Sequence, residues 1–128
     1  MSSFTDDLEY EFTGSYFRGN PLYIITKSFQ YKLGDIKNPL HTFTIPAGYI
    51  TDLASIYWPV NLFLKPHGPW AKAAVLHDFI ITEYPEVSKV IGDSVFLEAM
   101  IVLGVNSALA YIFYLVVRSY NLVINREL

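Results

Sequence analysis

The chain contains no cysteine, and only 16% of its 128 residues are charged. Without cysteine it has no disulfide, no thiolate nucleophile and no cysteine-ligated zinc site. The first ten residues contain Asp6, Asp7 and Glu9 but no lysine or arginine. Because a secretory signal begins with a positively charged segment, we expect no signal peptide. The formal net charge of -3 gives no electrostatic reason to expect a nucleic-acid partner.

Apolar side chains are abundant, since 52% of the residues are hydrophobic and 16% are aromatic. A chain of this length and composition can bury enough apolar surface to offset the entropy that it loses on folding. We therefore predict one folded domain and exclude intrinsic disorder.

The longest uncharged stretch covers residues 99–117 and is long enough to be considered as a membrane span. It is interrupted by Gly104, Asn106 and Ser107, which are typical of a helix end followed by an N-cap. We therefore predict two packed helices rather than one span, with Asn106 or Ser107 as the cap. Residues 109–124 are apolar nearly all round, with Arg118 as the single charge, so contact with lipid or with another subunit stays an alternative to burial.

The fold class predicted from the pattern is α+β, with an N-terminal antiparallel sheet or hairpin followed by three helices. Residues 1–21 form an N-terminal extension of weak periodicity, and residues 22–50 hold the strands. One strand covers 22–33 with a bend near Lys27, and a second covers 41–50 with a break at Pro46. Residues 51–68 are predicted to form an ordered aromatic loop.

Three helices are predicted within residues 69–124. The first runs from Pro69 to about Ile81, because proline is favoured at the first helical position. The second opens at Pro85-Glu86 and ends at Gly104. The inward stripe of the first helix is predicted to be Trp70, Ala74, His77 and Ile81, and that of the second Val90, Asp93, Leu97 and either Met100 or Ile101.

The residues with catalytic potential are ionisable groups on these inward faces. His77 and Asp78 are neighbours on a helix, so they point about 100° apart into adjacent sectors of one cleft. Asp93, on the next helix, is placed to accept a hydrogen bond from the imidazole N–H of His77 and so to fix its tautomer. Asp52 ends the second strand and can join Asp78 as an oxygen ligand, a combination that suits calcium better than zinc.

Several runs of this chain occur in the same order in a known family. These are FTIPAGYITDLASI at 43–56, PHGPWAKAAVLHDFI at 66–80, GDSVFLEAMIVLGV at 92–105 and YLVVRSYN at 114–121. From about Tyr23 onward the chain resembles the small phage and prophage proteins of the DUF1353 family. This resemblance implies a phage-encoded protein, located in the virion or in the infected host cell, with phage structural proteins as expected partners. It implies no activity.

A second similarity concerns the histidine-containing helix. The order Asp52-Leu53, then His77-Asp78, then Asp93 is similar to that of small secreted phospholipases of the A-two type. The resemblance implies that His77 is the general base and that Asp93 orients it. It also implies that Asp78, Asp52 and the Leu53 carbonyl bind calcium, although the disulfides typical of those enzymes are absent here.

Two kinds of function follow from this sequence. The first is a calcium-dependent esterase of phospholipase type that acts on host lipid or envelope material. The second is a non-enzymatic virion or assembly component, in which the same polar residues form a buried structural network and the C-terminal helix mediates self-association. A small protein that sequesters a host metabolite or partner is a further alternative. For Asp93 itself, the alternative to a role beside His77 is that it is only an N-cap, if its helix begins late.

Overall fold

A computed structural model describes residues 2–17, 19–34, 37–51 and 70–123. Within them, strands come first and helices follow, which confirms the α+β class. The strands are β1 (Ser3–Phe4), β2 (Tyr10–Phe17), β3 (Asn20–Ile25), β4 (Phe29–Gly34), β5 (Pro39–Ile45) and β6 (Ile50–Thr51). The helices are α1 (Ala71–Glu83), α2 (Lys89–Val102) and α3 (Ser107–Val123).

The strands form two antiparallel sheets, in the orders β1-β4-β5 and β2-β3-β6. Each of the two long strands predicted from the sequence is in fact two strands that belong to different sheets. The chain passes from one sheet to the other after Ile25 and again after Ile45, and backbone hydrogen bonds connect these two places. Ile25 donates its N–H to the Tyr49 carbonyl at 2.9 Å and accepts from the Gly48 N–H at 2.7 Å. The predicted bend at Lys27 and break at Pro46 are therefore the points where the chain changes sheet.

Residues 2–17 contain β1 and β2, although the sequence pattern predicted no strand there. After Tyr10, every residue of β2 is exposed. The strand therefore has no buried face, and an exposed strand lacks the alternation of apolar and polar residues from which strands are predicted. Its register against β3 also shifts between Phe12 and Tyr16, where Gly14 has a φ of 84°.

The core lies between the β1-β4-β5 sheet and the helices. Ile25, Phe29, Tyr31, Phe43 and Ile45 supply the buried side chains of the strands. The helices contribute buried residues along α1 and α2 and from one face of α3: Ala73, Ala74, Val75, Leu76, Phe79, Ile80, Val95, Phe96, Ala99, Met100, Ala110, Phe113 and Val117.

α1 begins at Ala71, while the predicted first residue, Pro69, lies outside the described residues. Of its predicted stripe only Ala74 is buried, and Trp70, His77 and Ile81 are half-buried. The buried residues occupy most of the helix circumference, because strands and helices cover α1 on several sides. The prediction that one stripe of this helix is buried was therefore wrong, because buried residues lie on several of its sides.

α2 begins at Lys89 rather than at Pro85-Glu86, because Ser88 caps it by accepting the Ile91 N–H at 3.3 Å. Asp93 is fully buried, as predicted. Val90 is exposed instead of buried. The α-carbon of Gly92 faces Ile81 of α1. Val90 is two positions before Gly92, which is about 200° around the helix, so Val90 lies on the opposite, exposed side.

The uncharged stretch of residues 99–117 is divided as predicted. Gly104, at a φ of 86°, donates to the Ile101 carbonyl, and Val105 donates to the Met100 carbonyl. These two bonds form a Schellman motif, which ends α2. The side chain of Asn106 then accepts the N–H groups of Ala108 and Leu109, so Asn106 is the N-cap of α3. No helix in the described part of the chain is long and apolar enough to cross a membrane.

One face of α3 is buried and the opposite face is exposed. Ala110, Phe113 and Val117 pack into the core. The exposed apolar side chains on the other side are Leu109, Tyr111, Ile112 and Leu115. This helix is therefore buried on one side only within the chain. Self-association through its other side stays a prediction.

Candidate functional site

Asp93 is the centre of the candidate site. It is the fifth residue of α2 and has 0% exposure. Its Oδ1 lies 2.6 Å from Nε2 of His77 on α1, and its Oδ2 lies 2.7 Å from Nη1 of Arg118 on α3. One carboxylate thus joins all three helices. Because Ser88 is the N-cap of α2, the interpretation of Asp93 as a cap is wrong.

The imidazole of His77 is fixed by two contacts. Its ring lies 4.9 Å, centroid to centroid, from the ring of Phe96, and its Nε2 bonds Asp93. A carboxylate only accepts hydrogen bonds, so the hydrogen lies on Nε2 and the neutral ring carries a lone pair on Nδ1. Within the described residues Nδ1 has no hydrogen-bonding partner, and the His77 side chain is 14% exposed. Nδ1 is therefore the atom available for proton transfer.

Arg118 is the member of this group that sequence reasoning did not select. Its side chain is 18% exposed, and its guanidinium favours the charged form of Asp93. A usable signal was present, because Arg118 is the one charged residue in the apolar segment 109–124. An isolated charge in such a segment is costly unless it is paired with an opposite charge.

Asp78 has a different partner from its neighbour His77. Its Oδ2 accepts a hydrogen bond from the Tyr49 hydroxyl at 2.7 Å. Burial, with the nearby charge of Asp78 as the next cause, raises the pKa of Tyr49 well above its ordinary value. The phenol therefore stays a donor, and it joins the segment just before β6 to α1.

The predicted calcium site is described only in part. Asp52 and Leu53, two of its three proposed ligands, lie outside the described residues, whereas Asp78 lies within them. Residues 52–68 of the predicted aromatic loop also lie outside. Among the residues that are described, no group of three or more histidines and acids is placed to hold a metal.

A second buried pair involves Tyr31 of β4, whose hydroxyl donates to Oε1 of Glu98 on α2. Tyr31 is fully buried. Burial and then the bond to Glu98 raise the pKa of Tyr31 above its ordinary value. No sequence pattern indicated this pairing, because the two residues are 67 positions apart.

These features define a small α+β protein in which three helices hold a buried histidine, aspartate and arginine. The chain belongs to the family described as "Protein of unknown function (DUF1353)", which matches residues 24–117. The matched part includes His77, Asp78 and Asp93, and Arg118 follows directly after it. No curated protein and no solved structure matches the chain.

Proposed function

We propose that this protein is a hydrolase that uses His77 as a general base. The observation that carries the proposal is the 2.6 Å contact of His77 Nε2 with the fully buried Asp93, which leaves Nδ1 without a partner among the described residues. An aspartate in this position orients the imidazole and stabilises the imidazolium that forms during catalysis.

The reaction consistent with these groups is the hydrolysis of a carboxylic ester. Nδ1 of His77 removes a proton from water as the water oxygen bonds to the ester carbonyl carbon. The tetrahedral intermediate then expels the alcohol, which receives the proton from Nδ1. Asp93 keeps its charge throughout, because Arg118 is bonded to its second oxygen. The substrate class that we propose is a phospholipid of the host envelope, in keeping with a phage-encoded accessory protein in the virion or infected cell.

We also propose calcium as the cofactor, with Asp78, Asp52 and the Leu53 carbonyl as its ligands. Carboxylate and carbonyl oxygens suit this ion, which would polarise the ester carbonyl. Isothermal titration of the protein with calcium tests the site, and Asp78→Asn is expected to weaken binding. Unchanged binding in this variant, or none in the parent protein, would contradict the site without affecting the contact of His77 with Asp93.

The catalytic proposal is tested by His77→Gln in an assay of fatty-acid release from phosphatidylcholine vesicles with and without calcium. General-base catalysis typically contributes a factor of about 100 to 10,000, so we expect a loss of at least about 100-fold. The matched control is His41→Gln, because His41 is exposed and packs against Phe43 and Tyr84. Equal activity of the two variants, or no activity of the parent protein on phospholipid or simple esters, would overturn the proposal.

The second candidate is a non-enzymatic phage virion or assembly component. The contact of Arg118 with Asp93 favours it, because a carboxylate that bonds residues of two other helices can also serve simply to hold the three helices together. A stoichiometric copy number in purified particles, measured by mass spectrometry, together with an inactive parent protein, would support this candidate. The buried group would then act only on stability.

A further inference from the structure

An open groove runs along α2. Its volume is about 410 Å³, within the range of roughly 300–1,000 Å³ found for small-ligand sites. Leu97, Ile101 and Val102 are its apolar lining residues, and Ser2 and Gly34 also line it. The Gly34 N–H donates to Oγ of Ser2 at 2.8 Å, which joins these two residues.

Glu98 is the charged residue among those that line this groove. It follows Asp93 by five positions, so its side chain lies about 140° around the helix from that of Asp93. Tyr31 is fully buried and donates its hydroxyl to Oε1 of Glu98. The carboxylate is thereby held in place from the core side.

Among the described residues, the Glu98 carboxylate has no counter-ion. It accepts a hydrogen bond from the neutral Tyr31 hydroxyl. A half-buried carboxylate beside apolar side chains loses hydration, and a neutral donor offsets only part of this cost. A cation in the groove would bond the carboxylate directly, and charge-assisted hydrogen bonds are about twice as strong as neutral ones. Leu97 and Ile101 would at the same time cover a short hydrocarbon chain.

We propose that this groove binds a protonated primary amine on a short hydrocarbon chain, with the ammonium at Glu98 and the chain along Leu97, Ile101 and Val102. Two sources carry this chemistry, a lysine side chain of a partner protein and a free alkylamine. The proposal is independent of the hydrolase function, because it uses none of the residues of that site.

The test is titration of the ¹⁵N-labelled protein with n-hexylammonium, n-hexanol and hexanoate, followed by the amide shifts of Leu97, Ile101 and Val102. We expect hexylammonium to bind roughly tenfold more tightly than hexanol, as one charge-assisted hydrogen bond provides, and hexanoate to bind least. Glu98→Gln is expected to abolish the preference for the ammonium. Glu86→Gln, which changes an exposed acid before α2, is expected to preserve it.

The apolar lining is tested in the same way by Ile101→Ala, with Ile91→Ala as its control on the same helix but outside the groove. Equal affinity for the three probes, a preference that survives Glu98→Gln, or shifts that avoid the groove would each overturn the proposal. Tighter binding of a blocked lysine amide than of hexylammonium supports it with a protein partner as the source. The reverse order supports it with a free amine.

Discussion

Asp93 illustrates how one charged side chain can be placed at the centre of an apolar helical bundle. Its two oxygens bond His77 and Arg118, at 2.6 and 2.7 Å. A buried charge with such partners is tolerated, whereas removing one member of a buried ion pair is strongly destabilising. The same geometry that suits a catalytic histidine therefore also makes stability depend on this residue.

Asp93→Asn is expected to lower the free energy of unfolding by about 3 kcal/mol, because the largely buried His77 and Arg118 would both lose the carboxylate charge that they contact. Urea denaturation monitored by circular dichroism measures this change. The control is Asp6→Asn, since Asp6 forms an exposed ion pair with Lys27, and we expect little change there. A loss below about 1 kcal/mol for Asp93→Asn would show that the buried group does not hold the helices together.

Among the elements, the connection of α2 to α3 is defined by hydrogen bonds at both helix ends. Gly104 ends α2 in a positive-φ conformation, and Asn106 caps α3 two residues later. The sequence pattern predicted either Asn106 or Ser107 as the cap of α3. The geometry distinguishes them, because the Asn106 side chain accepts two N–H groups of the first turn while Ser107 is already the first helical residue.

Asn106→Ala is therefore expected to destabilise the protein by about 1 kcal/mol, the usual value for the loss of an N-cap. Ser107→Ala is the matched control, and we expect it to change stability by less than about 0.5 kcal/mol. Thermal and urea unfolding of the two variants give the comparison. A larger effect of Ser107→Ala than of Asn106→Ala would contradict the cap assignment.

For the molecule as a whole, the phenols of the buried Tyr31 and the half-buried Tyr49 make the stability depend on pH on the alkaline side. The pKa values of Tyr31 and Tyr49 are raised above 10.0 in the folded protein, first by burial and then by Glu98 and Asp78. In the unfolded chain these phenols lose their protons near the ordinary value. The stability that they contribute is thus complete below about pH 10 and is lost as the pH rises above it.

We expect the free energy of unfolding to fall above about pH 10, and to fall less steeply when Tyr31 and Tyr49 are both replaced by Phe. Urea midpoints at successive pH values measure the slope, and absorbance at 295 nm follows tyrosinate formation. Tyr16→Phe serves as the control, because Tyr16 is 65% exposed. An unchanged slope in the double variant would mean that the two phenols titrate alike in the folded and unfolded chains.

Part of the site could be predicted from the sequence because it depends on helical spacing. His77 and Asp93 lie on adjacent helices of predictable period, and the burial of Asp93 followed from its position between apolar residues. Arg118 and Glu98 were missed as partners. Their contacts with Asp93 and Tyr31 cross 25 and 67 positions of the chain, and no local pattern encodes such distances.

The α+β class, the three helices and a break at Gly104 followed by a cap at Asn106 or Ser107 could all be predicted from the sequence. These features depend on residues a few positions apart, whose backbone preferences and periodicity are legible along the chain. Only tertiary packing explains why each predicted long strand divides between two sheets and why Asp93 joins three helices. The same packing brings Glu98 and Ser2 to one groove. These outcomes depend on which distant surfaces pack together, and that choice is made only when the whole chain folds.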